Sequence, residues 1–326
     1  MQYNDKVYGT VEISDPILLE LMDSSAMTRL KTVLQHGISG LIGVTEKTTR
    51  FEHSVGTMLL VRRLGGSLEE QIAALLHDVS HTAFSHVIDY VFHGHEEQDF
   101  HDAKKESYIA ASDIPAILAS RNYDWRLFID EELFPLLEQP APALCADRID
   151  YFVRDALGLG LAVEDEVNWA LAHLQVIEER IVLNDLEAAR WFGSTYMEAD
   201  KSSWANFREV ALYELTAVGI RRALEIDELV DDDFWAGDEE LWDKLQASRD
   251  PFVMKNVGLV NARTEFVWDA EHPDFLVSTK IRTIDPDVII DSNIQKLSAI
   301  DPEFRESRQA YLQSSQGVWP IRIVSK

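Results

Sequence analysis

The chain has 326 residues, 46% of them hydrophobic, enough for one large domain or a core with an appended lobe. Its 57 acidic and 30 basic residues leave a formal charge of −27, which repels nucleic acid and anionic membrane at long range and argues against both as partners. A single cysteine, Cys145, excludes an intrachain disulfide, and neither a membrane-length apolar run nor a signal-peptide-like start is present. The expectation is a cytoplasmic protein acting on a small molecule. An anionic substrate would need a local cluster of Arg, Lys and metal, and homo-oligomerisation stays open.

Val7 to Ile13 alternates weakly and reads as a short strand. Asp15-Pro16 opens a helix through Ile17, Leu18, Leu21 and Met22, which Leu30 to Leu34 continues. His36 to Thr49, rich in Gly and Thr, reads as a loop. Ser54 to Leu64 is helical and ends at Gly65-Gly66, and Ser67 with Glu70 starts the next helix as a capping box. Phe84, Val87, Ile88 and Val91 follow at helical spacing, and Gly94 interrupts a polar run from His93 to Asp102. Ala143 to Gly158 is helical again, with Cys145, Ile149, Phe152 and Ala156 as its apolar stripe.

Beyond Arg190 the texture changes. Trp204 to Leu224 predicts a long helix, and Asp231-Asp232-Asp233 opens an acidic stretch through Glu240. Glu265 to Ile290 alternates and predicts two or three strands, and Trp319 to Val324 another. The expected fold is mainly α: a helical bundle over residues 1–195 and a C-terminal α+β lobe over 196–326.

The chemistry concentrates around His77-Asp78, at the end of the apolar run Ile72 to Leu76. Burying an imidazole and a carboxylate together is costly unless something satisfies both, and a divalent cation does so. His53 upstream and Asp147 downstream complete a set of two imidazoles and two carboxylates drawn from three helices. Adjacent helical residues point about 100° apart, so His77 and Asp78 converge only on an ion near the helix edge. A mixed His/Asp set suits Mg, Mn, Fe, Co, Ni or Zn and does not choose among them. Asp147, Tyr151, Arg154 and Asp155 share one helix face, which lines a space running away from the ion.

The stretches Arg50-Phe51-Glu52-His53-Ser54-Val55-Gly56, His77-Asp78-Val79-Ser80-His81-Thr82-Ala83-Phe84-Ser85-His86, His95-Glu96 and Asp147-Arg148-Ile149-Asp150-Tyr151-Phe152-Val153-Arg154-Asp155 resemble the HD-domain phosphohydrolases, in particular the branch of dNTP triphosphohydrolases that includes the SAM-and-HD-domain enzymes. The resemblance spans roughly residues 25 to 160. It implies an HD-domain helical bundle and a divalent metal held by His53, His77, Asp78 and Asp147. It also implies that His81 and His95 approach the scissile phosphate, with Asp89 orienting one of them. Gln35 and Arg50 stand where that family contacts the sugar and α-phosphate, and Tyr151 and Asp155 match its deoxyribose-recognising pair. Arg148, beside Asp147, joins these as a candidate substrate contact.

Three departures stand out. The Tyr-His-Lys cluster that supplies phosphate-binding cations in the family reads Tyr196-Met197-Glu198-Ala199-Asp200-Lys201-Ser202, leaving Lys201 as the evident candidate. His36 replaces an apolar residue under the sugar, and the loop His36 to Gly43 differs. The leading reading is metal-dependent hydrolysis of a phosphoester or phosphoanhydride in a nucleotide, specifically dNTP to deoxynucleoside and triphosphate. The alternatives are a di-iron oxygenase, with His81 and His86, or His95 and His101, as added ligands, and a nucleotide sensor without turnover.

Overall fold

The computed structural model describes residues 1–92, 100–315 and 317–324. Helices dominate, and their ends follow local chemistry. Asp15 caps the helix Pro16–Met22 by accepting from the Ile17 amide, with Pro16 in the first turn. The helix Arg50–Arg63 starts in a complete Thr49/Glu52 capping box, earlier than the apolar pattern alone predicts. Ser67 caps Leu68–Leu76 through the Glu70 amide. Arg50–Arg63 is buried along nearly its whole length, packed against Leu68–Leu76 and against Ala146–Gly158. At Gly56 a Cβ would stand 1.8 Å from Arg154 Nη2, so only glycine admits that guanidinium between the helices.

Among the described residues three small sheets accompany the helices, so the fold is mainly α rather than all-α. The N-terminal hairpin pairs Gln2–Asp5 with Gly9–Glu12. A four-stranded sheet has the order Leu174–Ile177, Arg180–Leu183, Asp287–Ile290, Asn293–Lys296, with one parallel pairing at Leu183 and Val288. A three-stranded antiparallel sheet sets Trp319–Val324 between Glu265–Trp268 and Phe275–Val277.

Hydrophobic contacts run across residue 195 in both directions. One core gathers Val55, Leu60, Leu75, Phe152 and Phe192 and also recruits Ile284, Val288 and Phe304 from the far end of the chain. The other gathers Leu212, Ile220, Leu241, Val253 and Ile321, yet takes in Ile38, Phe84 and Val87. The helical spacing from Phe84 to Val91 is realised only from Val87, because Phe84 and Ser85 lie in the left-handed region at φ +62° and +48°. No described helix is long and apolar enough to cross a membrane.

Candidate metal centre

His77 is the C-cap of Leu68–Leu76, so Asp78 already lies beyond the helix and can turn toward the same point as its neighbour. His53 projects from the first turn of Arg50–Arg63 and Asp147 from the first turn of Ala146–Gly158. Their atoms converge. His53 Nε2 lies 3.2 Å from His77 Nε2, 2.9 Å from Asp147 Oδ1 and 3.6 Å from Asp78 Oδ2. His77 Nε2 lies 3.4 Å from Asp147 Oδ1 and 3.6 Å from Asp78 Oδ1. Ligand atoms held about 2.0–2.2 Å from one ion stand roughly 3.0–3.5 Å apart; His53, His77 and Asp147 come close to that spacing and group as a possible site, while Asp78, 3.6 Å from both rings, also groups with His81 and His101.

The outer nitrogens define the tautomers. His77 Nδ1 lies 2.7 Å from the Ala74 carbonyl oxygen, which can only accept. His53 Nδ1 lies 2.8 Å from Asp150 Oδ2, a carboxylate that Arg154 also engages, from Nε at 2.6 Å. Each ring therefore donates from Nδ1, and both Nε2 lone pairs face each other and two carboxylates. Four electron-rich atoms converging in a buried site fit a divalent cation. The negative charge that would hold a cation also acts on the rings, and without an ion it draws a proton to His77. Burial would lower the His77 pKa, but Asp78 and Asp147 outweigh it and raise it to about 10. Asp78 is held well below the usual carboxylate range, with Arg50 and His77 overcoming the upward push of burial.

Beside the cluster stands a group of histidines. His81 Nε2 lies 3.1 Å from Asp78 Oδ1, and its ring stacks on His101 with centroids 3.9 Å apart. His86 meets His81 edge-on at 5.1 Å. Burial, then the Arg50 charge, push His81 and His86 well below the ordinary imidazole range. Asp89 pairs with His86 Nδ1 at 3.0 Å and accepts from the Phe100 amide. His95 lies outside the described residues. His101, which the sequence offers only as an added ligand of the oxygenase alternative, reaches this cavity from the start of the helix Phe100–Ala111.

The cavity has a volume of about 560 Å³ and is lined by Gln35, Arg50, Arg148, Tyr151 and Asp155 alongside His77, Asp78 and Asp147. Lys201 is not among its lining residues: its side chain is 66% exposed and pairs with Glu198. The reason is local, because the π-helical turn Asp200–Trp204 directs Ser203 and Trp204 inward and leaves Lys201 outward. Lys280, Arg282 and Arg308 line the cavity instead. Buried Asp200 anchors their segment, accepting from the Arg282 amide at 2.8 Å and the Tyr311 hydroxyl at 2.9 Å.

Several of the expected substrate contacts already have protein partners. Arg50 donates from Nη1 to Asp78 at 2.6 Å and from Nε to Ser85 Oγ at 3.0 Å. Arg148 donates to the Ala143 carbonyl at 2.6 Å and to Glu138 at 3.2 Å. The Tyr151 and Tyr196 hydroxyls are hydrogen-bonded to each other.

The HD domain family model matches residues 50–155, the span that carries His53, His77, Asp78 and Asp147. The metal-dependent phosphohydrolase cns2 of Cordyceps militaris is 36% identical over 319 residues, 95% of this chain and 92% of that protein. A shorter stretch of 105 residues is 33% identical to the deoxynucleoside triphosphate triphosphohydrolase SAMHD1 of Danio rerio, covering 28% of this chain and 17% of that one. A phosphohydrolase from Bacteroides thetaiotaomicron superposes with a TM-score of 0.74 over 100% of both chains at 18% identity, a likeness of fold alone. The nearly full-length relative, the matched family model and the converging His53, His77, Asp78 and Asp147 make one assignment: the chain belongs to the HD-domain metal-dependent phosphohydrolases.

Proposed function

We propose that the protein hydrolyses a phosphoester or phosphoanhydride bond in a nucleotide, and specifically that it converts a deoxynucleoside triphosphate to deoxynucleoside and inorganic triphosphate. The observation that carries this reading is the gathering of Arg50, Arg148, Lys280, Arg282 and Arg308 around one cavity in a chain of net charge −27. The same cavity carries the carboxylates of Asp78, Asp102, Glu131, Glu138, Asp147 and Asp155, so these cations, together with an ion at the Asp78 and Asp147 cluster, are what would let it hold an anion. The volume is in the range of small-molecule sites, about 300–1,000 Å³. Tyr151 and Asp155, on the helix that brings Asp147, offer a sugar a ring face and a hydrogen-bond acceptor.

A divalent ion held by His53, His77, Asp78 and Asp147 would act as a Lewis acid on the reacting phosphoryl group and acidify water there. The protein's own groups do the rest. Arg50 and the cations of the 280–282 segment hold the phosphates, while Gln35, Tyr151 and Asp155 hold the sugar. His81, backed by the stacked His101 ring, stands at the ligand cluster as the group that moves a proton.

The test is a metal-supplemented phosphate-release screen across nucleoside mono-, di- and triphosphates, with inorganic triphosphate detected separately. Triphosphate release from dNTPs is the expected result. Release of single phosphates from monophosphates would keep the hydrolase and overturn the triphosphohydrolase. One observation favours a second reading: donor atoms of Asp78, His81 and His101 lie within 4.8 Å of one another, a grouping able to hold another ion. Two irons per chain with oxygen consumption would make that oxygenase reading the better one, and tight nucleotide binding without turnover would make the protein a sensor.

A further inference from the structure

The acidic stretch that opens at Asp231 contains a residue buried against the catalytic side of the molecule. Asp238 begins the helix Asp238–Gln246 and is 1% exposed. Its carboxylate spans two segments far apart in sequence. Oδ2 accepts from the Leu34 amide at 3.0 Å, and Oδ1 from the Phe84 amide at 2.8 Å. Leu34 leads directly into Gln35 and His36, while Phe84 and Ser85 lead directly into His86; Gln35, His36 and His86 all line the cavity.

The junction under Asp238 is tight and locally unfavourable. Phe84 and Ser85 are consecutive non-glycine residues at φ +62° and +48°, a conformation that persists only where surroundings impose it. Ser85 Oγ donates to the Leu34 carbonyl at 2.6 Å. Gly37, at φ +47°, approaches so closely that a Cβ would lie 2.3 Å from the Phe84 carbonyl oxygen. From the same part of the chain as Asp238, the Phe234 carbonyl accepts from the Ala83 amide at 2.8 Å, and the Trp242 ring meets Phe84 edge-on. Burying a carboxylate here is costly, and among the described residues its hydrogen-bond partners are the two loop amides.

We propose that Asp238 is a positioning residue: it clamps the Leu34–Gly37 loop to the Phe84–Ser85 turn, and so sets the sugar-facing wall of the cavity against its histidine wall. The clamp acts from the second hydrophobic core and touches none of the four metal ligands, so metal binding and clamping are separable. It rests on the cavity being the active site and not on which nucleotide is cleaved.

The experiment uses manganese-loaded full-length protein carrying Asp238→Asn, which keeps the shape but turns an amide NH₂ toward one of the two N–H donors. Gly37→Ala strains the same junction independently, and Glu239→Gln, at the exposed neighbour, is the control. Hydrogen exchange is followed by peptide, together with bound manganese, melting temperature and turnover of whichever nucleotide the release screen identifies. In Asp238→Asn and Gly37→Ala, peptides over residues 33–37 and 82–86 should exchange about tenfold faster or more, with helices 50–63 and 146–158 and the manganese stoichiometry unchanged. Turnover should fall by about 10- to 100-fold, the scale of a small misplacement of reacting groups. Unchanged exchange at 33–37 and 82–86 in Asp238→Asn would overturn the clamp. So would exchange that accelerates uniformly along the chain with loss of manganese, since that marks a general stability role. The exchange readout needs no substrate, so failure of the nucleotide reading is told apart from failure of the clamp.

Discussion

His36 Nε2 lies 2.9 Å from Asp155 Oδ1, and Trp204 Nε1 donates to the other carboxylate oxygen at 2.6 Å. Asp155 therefore faces the cavity as one member of a buried triad rather than as an isolated acceptor. Burial alone would depress the His36 pKa, but Asp155 first and Glu209 after it raise it to about 9. His36, beside Asp155 at the cavity, is thus drawn toward the imidazolium form at neutral pH.

That charge has a measurable consequence for stability. The folded-state pKa lies above the unfolded value of about 6.5, so the contribution is fully present below pH 6.5 and is lost as pH rises through about 9. Denaturant titrations of wild type and His36→Gln from pH 6 to pH 10 should show the wild-type advantage shrinking by on the order of 2–3 kcal/mol. An advantage that stays constant across that range would mean His36 is neutral in the fold.

The metal ligands and their support should separate by severity. His77→Ala with Asp78→Ala should abolish both bound metal and turnover. Asp150→Asn leaves every ligand in place but weakens the acceptor for His53 Nδ1–H. Such outer partners are typically worth about 10- to 100-fold in metal affinity, so chelator competition should show a loss of that size. A double variant that still binds one metal per chain would remove this cluster as the site.

That His53, His77, Asp78 and Asp147 gather in one place is legible in sequence because their chemistry belongs to the residue itself, and all four lie within residues 50–155. What tertiary structure decides is not legible. Asp200 joins the segment of Lys280 and Arg282 to the helix of Arg308 by accepting from the Arg282 amide and the Tyr311 hydroxyl, and no local pattern announces that. The hairpin Leu174–Leu183 turns through Glu178 and Glu179 at φ +51° and +61°, where an Asn-Gly pair would have been the usual signal. Asp291 and Ser292 do the same for the second hairpin of that sheet. The left-handed Phe84–Ser85 pair runs against local propensity, and it shortens a helix that the apolar spacing extends.

Chemistry should part from ligation at the histidine group. His81→Ala and His101→Ala should keep the metal and lose about 10²- to 10⁴-fold in turnover, the range of general acid–base catalysis. Metal analysis alongside kinetics decides it. Loss of one metal equivalent in either variant would make that histidine a ligand and favour the two-iron reading.

The phosphate-binding cations can be located by contrast. Lys201→Ala should leave KM within about twofold, since an exposed ion pair contributes about 0–1 kcal/mol and Lys201 is 66% exposed. Arg282→Ala and Lys280→Ala should raise KM tenfold or more, and more for triphosphates than for monophosphates. Equal effects at Lys201 and Arg282 would return the phosphate site to the π-helical turn.

The sugar contact gives the sharpest test of the substrate. Each Asp155 oxygen already has one protein partner, and a carboxylate oxygen has room for another donor. A sugar hydroxyl can therefore join the triad without displacing His36 or Trp204. With a sugar there, the Tyr151 ring, edge-on to Trp204 at 5.0 Å, would limit bulk at the neighbouring carbon. An analogue without the 3′-hydroxyl forgoes a hydrogen bond to a charged acceptor, a loss of about 1.5–3 kcal/mol, so it should react about ten- to a hundredfold more slowly. Asp155→Asn should shrink that discrimination and weaken nucleotide use, with bound metal unchanged because Asp155 touches none of the four ligands. Parallel kinetics on nucleotide and 3′-deoxy nucleotide in both proteins supply the comparison. If wild type hydrolyses the two equally, the space beside Asp155 does not hold the sugar, and a phosphoester other than a nucleotide becomes the better substrate.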